Sequence, residues 1–506
     1  MRRAVWLAAV FAAAAVSGAV QSAEAPLAWG DQGDGTYRNP VLPADYSDPD
    51  VIRVGDDFYL VASDFHFVGI QVLHSRDLVN WRIIGQVFGR LPMHPRYDLM
   101  QGYAQGTWAP SLRYHKGLFY LYVCTPHDGL FRWTAKNPAG PWSEMVTIKT
   151  VDKWEDPCPF WDDDGQAYLV HSLHGAGPLI LHKMNAEGTE LLDDGVVIYE
   201  GPIAEGPKFY KRKGWYYLSL PEGGVEQGGQ TVLRSRNIYG PYERRVVLPG
   251  GSPHQGGIVD LPNGESWFIG FKSTGHLGRI CHLLPVKWGD DDWPVFGEAG
   301  QPVDGGRKPG LPAGPIQRPQ TSDDFSARFL PPQWQWNHNP WGEGWSLTHR
   351  PGWLRLRGLP ATEPMLARNT LTQKLWDQRG RVDVKLDVRR LSEGQRAGFA
   401  FLSGKVFNVV GVQRAQGALR LYADGATGPA VDGEAVWLRG VYDGDQARFA
   451  YSLDGQTFTP IGGPVTLKAG QWKGARVAIY CYGDGGGYAE FDSFHYRVGV
   501  TDDPAK

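Results

Sequence analysis

The run Gly165-Gln166-Ala167-Tyr168-Leu169-Val170, a turn glycine leading into an aromatic-rich strand, decides how the first half of the chain is read, because the pattern recurs. It returns as Gly55 with Tyr59-Leu60, Gly117 with Tyr120-Leu121, Gly214 with Tyr217-Leu218 and Gly264 with Phe268-Ile269, the successive aromatics standing 61, 48, 49 and 51 residues apart. A repeat near fifty residues made of short strands points to a propeller, since one small sheet cannot bury its own faces and must stack on its neighbours around an axis. Five repeats predict five blades. A second shared feature, Ser75-Arg76-Asp77 with Trp81, Asn137-Pro138 with Trp142 and Ser235-Arg236-Asn237 with Tyr242, reads as an outer strand and its turn. The alternative, a β-sandwich with irregular hairpins, does not account for five evenly spaced units.

Composition agrees with an all-β protein. The 506 residues include Gly 66, Pro 37 and Trp 20, and the 42% hydrophobic share is enough for large cores. With 51 Lys+Arg against 54 Asp+Glu the net charge is −3, which gives no electrostatic reason to expect nucleic acid or an anionic membrane as partner. The length suggests two domains. Arg2-Arg3, an apolar run from Ala4 to about Val20 and small residues around Ala23 and Ala25 read as a signal peptide over residues 1–25, with a periplasmic or secreted destination. Nothing later approaches the ~20 apolar residues of a membrane helix, so no membrane insertion is expected. Cys124, Cys158, Cys281 and Cys481 are widely scattered, which indicates buried free thiols rather than a disulfide framework or a zinc site.

Counting back from each repeat aromatic, Asp48 lies 11 residues before Tyr59, Asp156 12 before Tyr168, Glu205 12 before Tyr217, His254 14 before Phe268 and Trp108 12 before Tyr120. A proline follows closely in four of these units, in Asp48-Pro49, Trp108-Ala109-Pro110, Asp156-Pro157 and Glu205-Gly206-Pro207. Equivalent positions in a propeller form a ring about its axis, so three carboxylates, an indole and an imidazole are expected to meet in one pocket. Carboxyl groups gathered there raise one another's proton affinity, allowing one to stay protonated while another is ionised. That is the acid and base pair of glycoside hydrolysis, and the indole offers a stacking face for a sugar ring. Taken singly, Asp48 reads as an ordinary Asp-Pro turn and His254 as a core histidine; the shared spacing is what singles them out.

These residues resemble glycoside hydrolase family 43. Tyr37-Arg38-Asn39-Pro40-Val41-Leu42 leading into Tyr46-Ser47-Asp48-Pro49-Asp50-Val51 is similar to the entry of its catalytic domain, as are Gly106-Thr107-Trp108-Ala109-Pro110, Trp154-Glu155-Asp156-Pro157, Glu205-Gly206-Pro207-Lys208-Phe209-Tyr210 and Leu277-Gly278-Arg279. The resemblance implies a five-bladed propeller over 36–298 and an inverting mechanism, with Asp48 as general base, Glu205 as general acid and Asp156 as the carboxylate that tunes and holds the acid. It implies that Trp108, Arg279, His254 and Phe65 border the sugar, that His254 in some members helps to hold an ion or water, and that no cofactor is required for catalysis. Substrates are xylan- or arabinan-derived oligosaccharides, with β-D-xylose and α-L-arabinofuranose both open, since loops rather than catalytic residues separate them. A retaining fructan-cleaving propeller would need an Asn-Asp-Pro-Asn-like run that Tyr46-Ser47-Asp48-Pro49-Asp50 does not supply. A silent sugar-binding propeller would not need the intact acid set.

From Gly297 to Gln320, 11 of 24 residues are Gly or Pro, so residues 299–320 read as a linker. Beyond it Val382, Val384, Leu386 and Val388 alternate with Asp383, Lys385, Asp387 and Arg389, and Leu354 and Val477–Tyr480 follow similar patterns, as expected for half-buried strands of a sandwich over 321–500. This part is similar to the concanavalin A-like domain that follows some family 43 propellers. It is expected either to bind carbohydrate or to wall the pocket so that only end sugars fit. Asp324 and Asp492 are candidates to share a structural calcium, with solvated strand-end acids as the alternative.

Overall fold

The computed structural model describes residues 28–500; the proposed signal segment, residues 1–25, lies outside the described residues. Five four-stranded antiparallel sheets follow one another in chain order. The innermost strands are Ser47–Val54, Trp108–His115, Trp154–Trp161, Lys208–Arg212 and His254–Asp260. Each is followed outward by the aromatic-rich strand of its repeat: Asp57–Ser63, Leu118–Thr125, Ala167–Leu173, Trp215–Glu222 and Ser266–Ser273. The tyrosine-leucine pairs alternate across these second strands, and Leu60, Leu121, Leu169, Leu218 and Ile269 are completely buried between blades. The ring closes between the fifth blade and the first, where Gly257 faces Val51 so closely that a Cβ would stand 2.9 Å from its backbone nitrogen. The segment entering the first blade laces onto the fifth: Asn39 Nδ2 donates to the carbonyls of Leu283 and Val303, and Val41 N–H to that of Cys281. Among the described residues no helix is long and apolar enough to cross a membrane, and all four cysteines are free and buried.

The second half is a sandwich of two seven-stranded sheets. Val382, Val384 and Leu386 of Arg379–Asp387 point into it and are fully buried, as their alternation predicts. Arg476–Tyr482 departs from that pattern. All seven of its residues are buried, because one face meets the sandwich core and the other packs a separate cluster of Ala400, Val409, Tyr422 and Tyr480. The Gly/Pro-rich segment before the sandwich is no free tether. Gln317 N–H donates to Asn80 Oδ1, Gln320 Oε1 accepts from Ile83 N–H, and Lys308 is paired with Asp31 and Asp77, so the segment is strapped along the first blade.

Propeller and sandwich share one hydrophobic core, in which Tyr46 meets Trp376 edge-on and Ala44 bridges to Trp376. Within it lies a buried set of charges: Lys473 Nζ is 2.8 Å from Asp45 Oδ2, Lys374 Nζ is 2.8 Å from Asp64 Oδ1, and Arg476 is 3.5 Å from the same oxygen. Burial alone would neutralise the acids, yet Lys473 and Lys374 hold Asp45 down at about 2. Burial presses Lys374 down to about 7 against the pull of Asp64. Breaking a buried pair leaves its partner uncompensated, which costs roughly 3–5 kcal/mol. Asp64→Ala should therefore lower stability by about that amount in urea or thermal unfolding, with Asp64→Ala/Lys374→Met recovering part of it. An unchanged transition in the single variant would show that the charges contribute nothing to the joint.

Candidate active site

The acids reach the pocket through a repeated defect at the start of the innermost strands. In the first blade Ser47 pairs with Ser63 and Asp50 with Val61, so that Asp48 and Pro49 bulge opposite a single residue. The same break lies between Trp108 and Ser111 and between Glu155 and Cys158. The first bulged residue is left-handed: φ is 51° at Asp48, 33° at Ala109, 56° at Asp156 and 56° at Gly206. Proline follows each of the four. It has no N–H to give to a ladder and is tolerated where pairing is already broken. Left-handed backbone costs an L-residue roughly 1–2 kcal/mol, least where a short polar side chain such as that of Asp can hydrogen-bond locally. Here it turns each Asp out of the strand direction and into the axis.

This register revises the equivalences suggested by counting from the aromatics. Asp48, Ala109, Asp156 and Gly206 share one position, and Trp108, Glu155 and Glu205 stand one residue earlier, level with Ser47. The counts merged the two levels because the hairpin of the third blade is longer: Trp161 pairs with Ala167, whereas Val54 pairs with Asp57 and Arg212 with Trp215. Glu155, passed over as a neighbour of Asp156, is thus the counterpart of Glu205 in the adjacent blade.

A cavity of about 130 Å³ is lined by Asp48, Phe65, Trp108, Glu155, Asp156, His174, Gly175, Glu205, Val225, Gln255, Arg279 and Trp472. It is far below the ~300–1,000 Å³ of clefts for drug-sized ligands and suits one small ring. Asp48 has a donor on each oxygen: Arg279 Nη1 donates to Oδ1 at 2.7 Å and Ser63 Oγ to Oδ2 at 2.6 Å. Ser63 Oγ in turn accepts from Ala109 N–H at 2.6 Å, which leaves its own proton for Asp48. Asp156 Oδ2 accepts from Gly206 N–H at 2.7 Å, tying the third blade to the residue beside Glu205.

The other carboxyls are pushed toward the protonated form. Burial, then the negative charges of Asp156 and Asp48, raise Glu205, with Arg279 opposing. Burial and Asp48 raise Asp156 against Lys208, and burial, Asp156 and Glu205 raise Glu155. Carboxylate oxygens of Glu155, Asp156 and Glu205 lie within 4.8 Å of one another, and Asp48 stands outside that cluster. The pocket therefore contains one carboxylate bonded to a cation and three acids whose proton affinities are raised by burial and by one another's charge, so that they do not all ionise together, the division required for acid and base roles.

Phe65, Trp108 and Arg279 fall on the wall as expected. The Trp108 ring is braced 5.7 Å from Phe65 and 5.3 Å from His174, with Nε1 donating to the Ala104 carbonyl. His254 does not line the cavity. The fifth blade's irregularity gives φ 47° to Gln255, which faces the pocket, while the imidazole of His254 packs behind on Phe271. Its Nδ1 donates to the Ser252 carbonyl, so the buried, unpartnered Nε2 presents a lone pair suited to a water or a cation. Each of the sandwich acids considered for calcium has a local partner. Asp324 Oδ1 accepts from the amide and hydroxyl of Ser326, and Asp492 is paired with Lys385 Nζ at 2.8 Å, a cation already present where a metal would be needed. Trp472 was invisible to sequence reasoning because it comes from a sandwich loop more than 190 residues after Arg279.

Comparison with known proteins agrees with this geometry. Residues 37–294 match the family model for glycosyl hydrolases family 43, and residues 322–497 that for the beta xylosidase C-terminal concanavalin A-like domain. A protein of Xylanibacter ruminicola is 50% identical over 462 residues, covering 89% of this chain and 87% of its own. A beta-xylosidase of Formosa agariphila is 36% identical over 92% of this chain and 91% of its own. A non-reducing end alpha-L-arabinofuranosidase of Bacteroides ovatus is 38% identical over 64% of this chain and 65% of its own. The solved structure of a xylan beta-1,4-xylosidase from Bacillus halodurans superposes with a TM-score of 0.82 at 27% identity, over 91% of this chain and 99% of that one.

The charge of Asp156 is one of the forces that keep a proton on Glu205. Asp156→Asn removes it, so the pKa of Glu205 should fall and the basic limb of any activity that requires protonated Glu205 should move to lower pH. A limb that stays in place while the rate drops at every pH would assign Asp156 to geometry alone.

Proposed function

The chain belongs to glycosyl hydrolase family 43, and from that premise we propose that it is an exo-acting, inverting hydrolase that removes terminal β-D-xylose and α-L-arabinofuranose from hemicellulose-derived oligosaccharides. Asp48 is the base that activates water, Glu205 the acid that protonates the departing oxygen, and Asp156 the group that keeps Glu205 protonated and oriented. The observation that carries the reading is the electrostatic split within one small cavity: Asp48 is bonded to Arg279 and Ser63, while Glu205 stands half-buried beside other acids with no bonded cation. A base must be ionised and an acid loaded at the same pH, and the raised proton affinity of Glu205 beside an Asp48 bonded to Arg279 supports that division.

The cavity supports exo action. Its volume suits one ring, and Trp472 from the sandwich stands on its wall, which favours the end of a chain. Relatives named for xylose and for arabinofuranose both resemble this chain, and the two sugars project similar substituents from the anomeric carbon. The chemistry is assigned to side chains without a cofactor, and the N-terminal run that reads as a signal peptide supports export to the periplasm or medium.

Nitrophenyl β-xyloside and nitrophenyl α-L-arabinofuranoside should both be hydrolysed, and proton NMR of the earliest product from a β-xyloside should show α-xylose before mutarotation. β-Xylose as first product would make Asp48 a nucleophile and overturn the inverting assignment. Glu205→Ala should lose about 10²–10⁴-fold on oligosaccharides, whose leaving group needs a proton, and at least about tenfold less than that on the activated aryl glycosides. Equal losses on both, with circular dichroism unchanged, would remove Glu205 as the acid.

A further inference from the structure

Glu155 is the one carboxyl in the pocket that these roles leave unused. It is 4% exposed, lines the cavity between Trp108 and Glu205 in the blade order, and occupies the strand position that in the next blade holds Glu205. Its Oε1 accepts from Ala176 N–H at 3.1 Å, and the nearby amide of Gly175 also favours the carboxylate. The loop that aims these amides has φ 96° at Gly175 and 70° at Ala176, a left-handed turn that points successive N–H groups the same way. The cations of the pocket are committed elsewhere, Arg279 to Asp48 and Lys208 to the Pro110 carbonyl and Ser111 Oγ. Glu155 therefore has a hydrogen-bonded Oε1, acidic neighbours and no counter-ion. Burial and the charges of Asp156 and Glu205 favour its neutral form, whose second oxygen then carries a proton.

We propose that Glu155 is a substrate-binding and specificity-determining residue, whose protonated carboxyl donates a hydrogen bond from Oε2 to one hydroxyl of the sugar in the pocket. This rests on the hydrolase reading above for the identity of the sugar. A buried carboxylic acid with one satisfied oxygen needs a partner for the other, and a ring hydroxyl provides a lone pair at the pocket wall. A site that hydrogen-bonds a particular hydroxyl rejects the analogue lacking it far more strongly than an apolar wall does, because the protein group is then left unpaired.

The test uses the whole protein and a set of nitrophenyl β-xylosides deoxygenated in turn at C2, C3 and C4, with the C2, C3 and C5 deoxy arabinofuranosides alongside. In the wild type, one deoxy glycoside should lose about 10²-fold or more in kcat/KM. Glu155→Leu should lose a similar factor on the parent sugar and nothing further on that deoxy form. Glu155→Gln keeps a donor of the same length and should stay within about tenfold of wild type with its basic limb in place. Glu155→Asp keeps a titratable acid but draws it back by one C–C bond, about 1.5 Å, and should lose the discrimination. It also serves should the leucine variant fail to fold.

Equal losses by Glu155→Leu on the parent and every deoxy sugar would overturn the contact, as would full discrimination in Glu155→Asp. So would a Glu155→Gln variant as impaired as Glu155→Leu with its basic limb moved, which would make the residue a neighbouring charge and not a contact. Binding of free xylose, arabinose and their deoxy forms, followed by the fluorescence of Trp108 and Trp472 at the wall, reads the same ratios without turnover. A protein that discriminates in binding but hydrolyses neither glycoside would overturn the hydrolase reading and leave the contact standing.

Discussion

The position of Lys473 is the constraint on which the rest of the site depends. This side chain leaves the sandwich, crosses into the propeller and ends with Nζ at 2.8 Å from both Asp45 Oδ2 and the Ser63 carbonyl. Asp45 Oδ1 accepts from the backbone of Arg279, the cation that binds Asp48, and Ser63 Oγ is the other partner of Asp48. One ammonium group thus anchors both hydrogen-bond donors to Asp48, each through the residue that carries it. Taking such charges out of water is costly, and replacing them with apolar side chains is often neutral or better for stability alone. Their place here is better explained by geometry. A directional ion pair fixes how the two halves meet, and the meeting of the halves defines the pocket.

The second cost is carried by the backbone. Asp48 and Asp156 are held left-handed at bulges, each sealed by a proline, so the fold accepts strain to point two acids across the grain of their strands. Strain of this kind persists only where surrounding structure determines it. The blades do so by pairing normally on both sides of the break, from Asp50 onward in the first and from Cys158 onward in the third. Where the side chain at this level is not needed, the same bend is kept by Gly206, which bears no penalty there, and by Ala109, which bears the full one. The bend is then architectural and the aspartates are the functional addition to it.

How much of this was legible in the sequence follows from the range of the signals. The five blades were readable because each repeat carries its own turn glycine and aromatic strand, a local pattern that survives without knowledge of neighbours. Asp48 and Asp156 were readable for the same reason, through the Asp-Pro pairs. Glu205 was found by a count that happened to absorb the longer hairpin of the third blade, and the same count concealed Glu155, although Gly206-Pro207 aligned with Asp156-Pro157 would have exposed both. Gln255 and not His254 reaches the cavity wall because the fifth blade breaks its ladder differently, Gln255 having no residue opposite it between Phe271 and Gly270. The interdomain charges and Trp472 were beyond reach, since each depends on contacts between residues hundreds of positions apart. Asp324 and Asp492, acids near both ends of the sandwich, have local partners in Ser326 and Lys385 that their spacing in the sequence does not announce.

The wall that Trp472 forms is rigid by construction, which bears on how the pocket selects ends of chains. Gly470 and Lys473 exchange both backbone hydrogen bonds across Gln471 and Trp472, whose φ values of 53° and 67° make a tight two-residue turn with the twist favoured in hairpins. Directly after it Gly474 lies so close to the propeller that a Cβ would stand 2.4 Å from the Leu277 carbonyl oxygen, and Gly278 faces it from the other side with a Cβ position 2.5 Å from the Gly474 nitrogen. Two glycines back to back bring the strands closer than any side chain allows. With Lys473 buried on one flank and this glycine contact on the other, the turn has little room to swing. The indole itself is 52% exposed, so its outer face meets solvent while its inner edge bounds the cavity near the Arg279 guanidinium, 5.7 Å from the ring. A hinged lid would close over any substrate that entered; a fixed post admits only what fits beside it. The depth of the pocket is therefore set by the joint between the domains, and selectivity for a terminal residue is a property of the folded interface, present before any sugar binds.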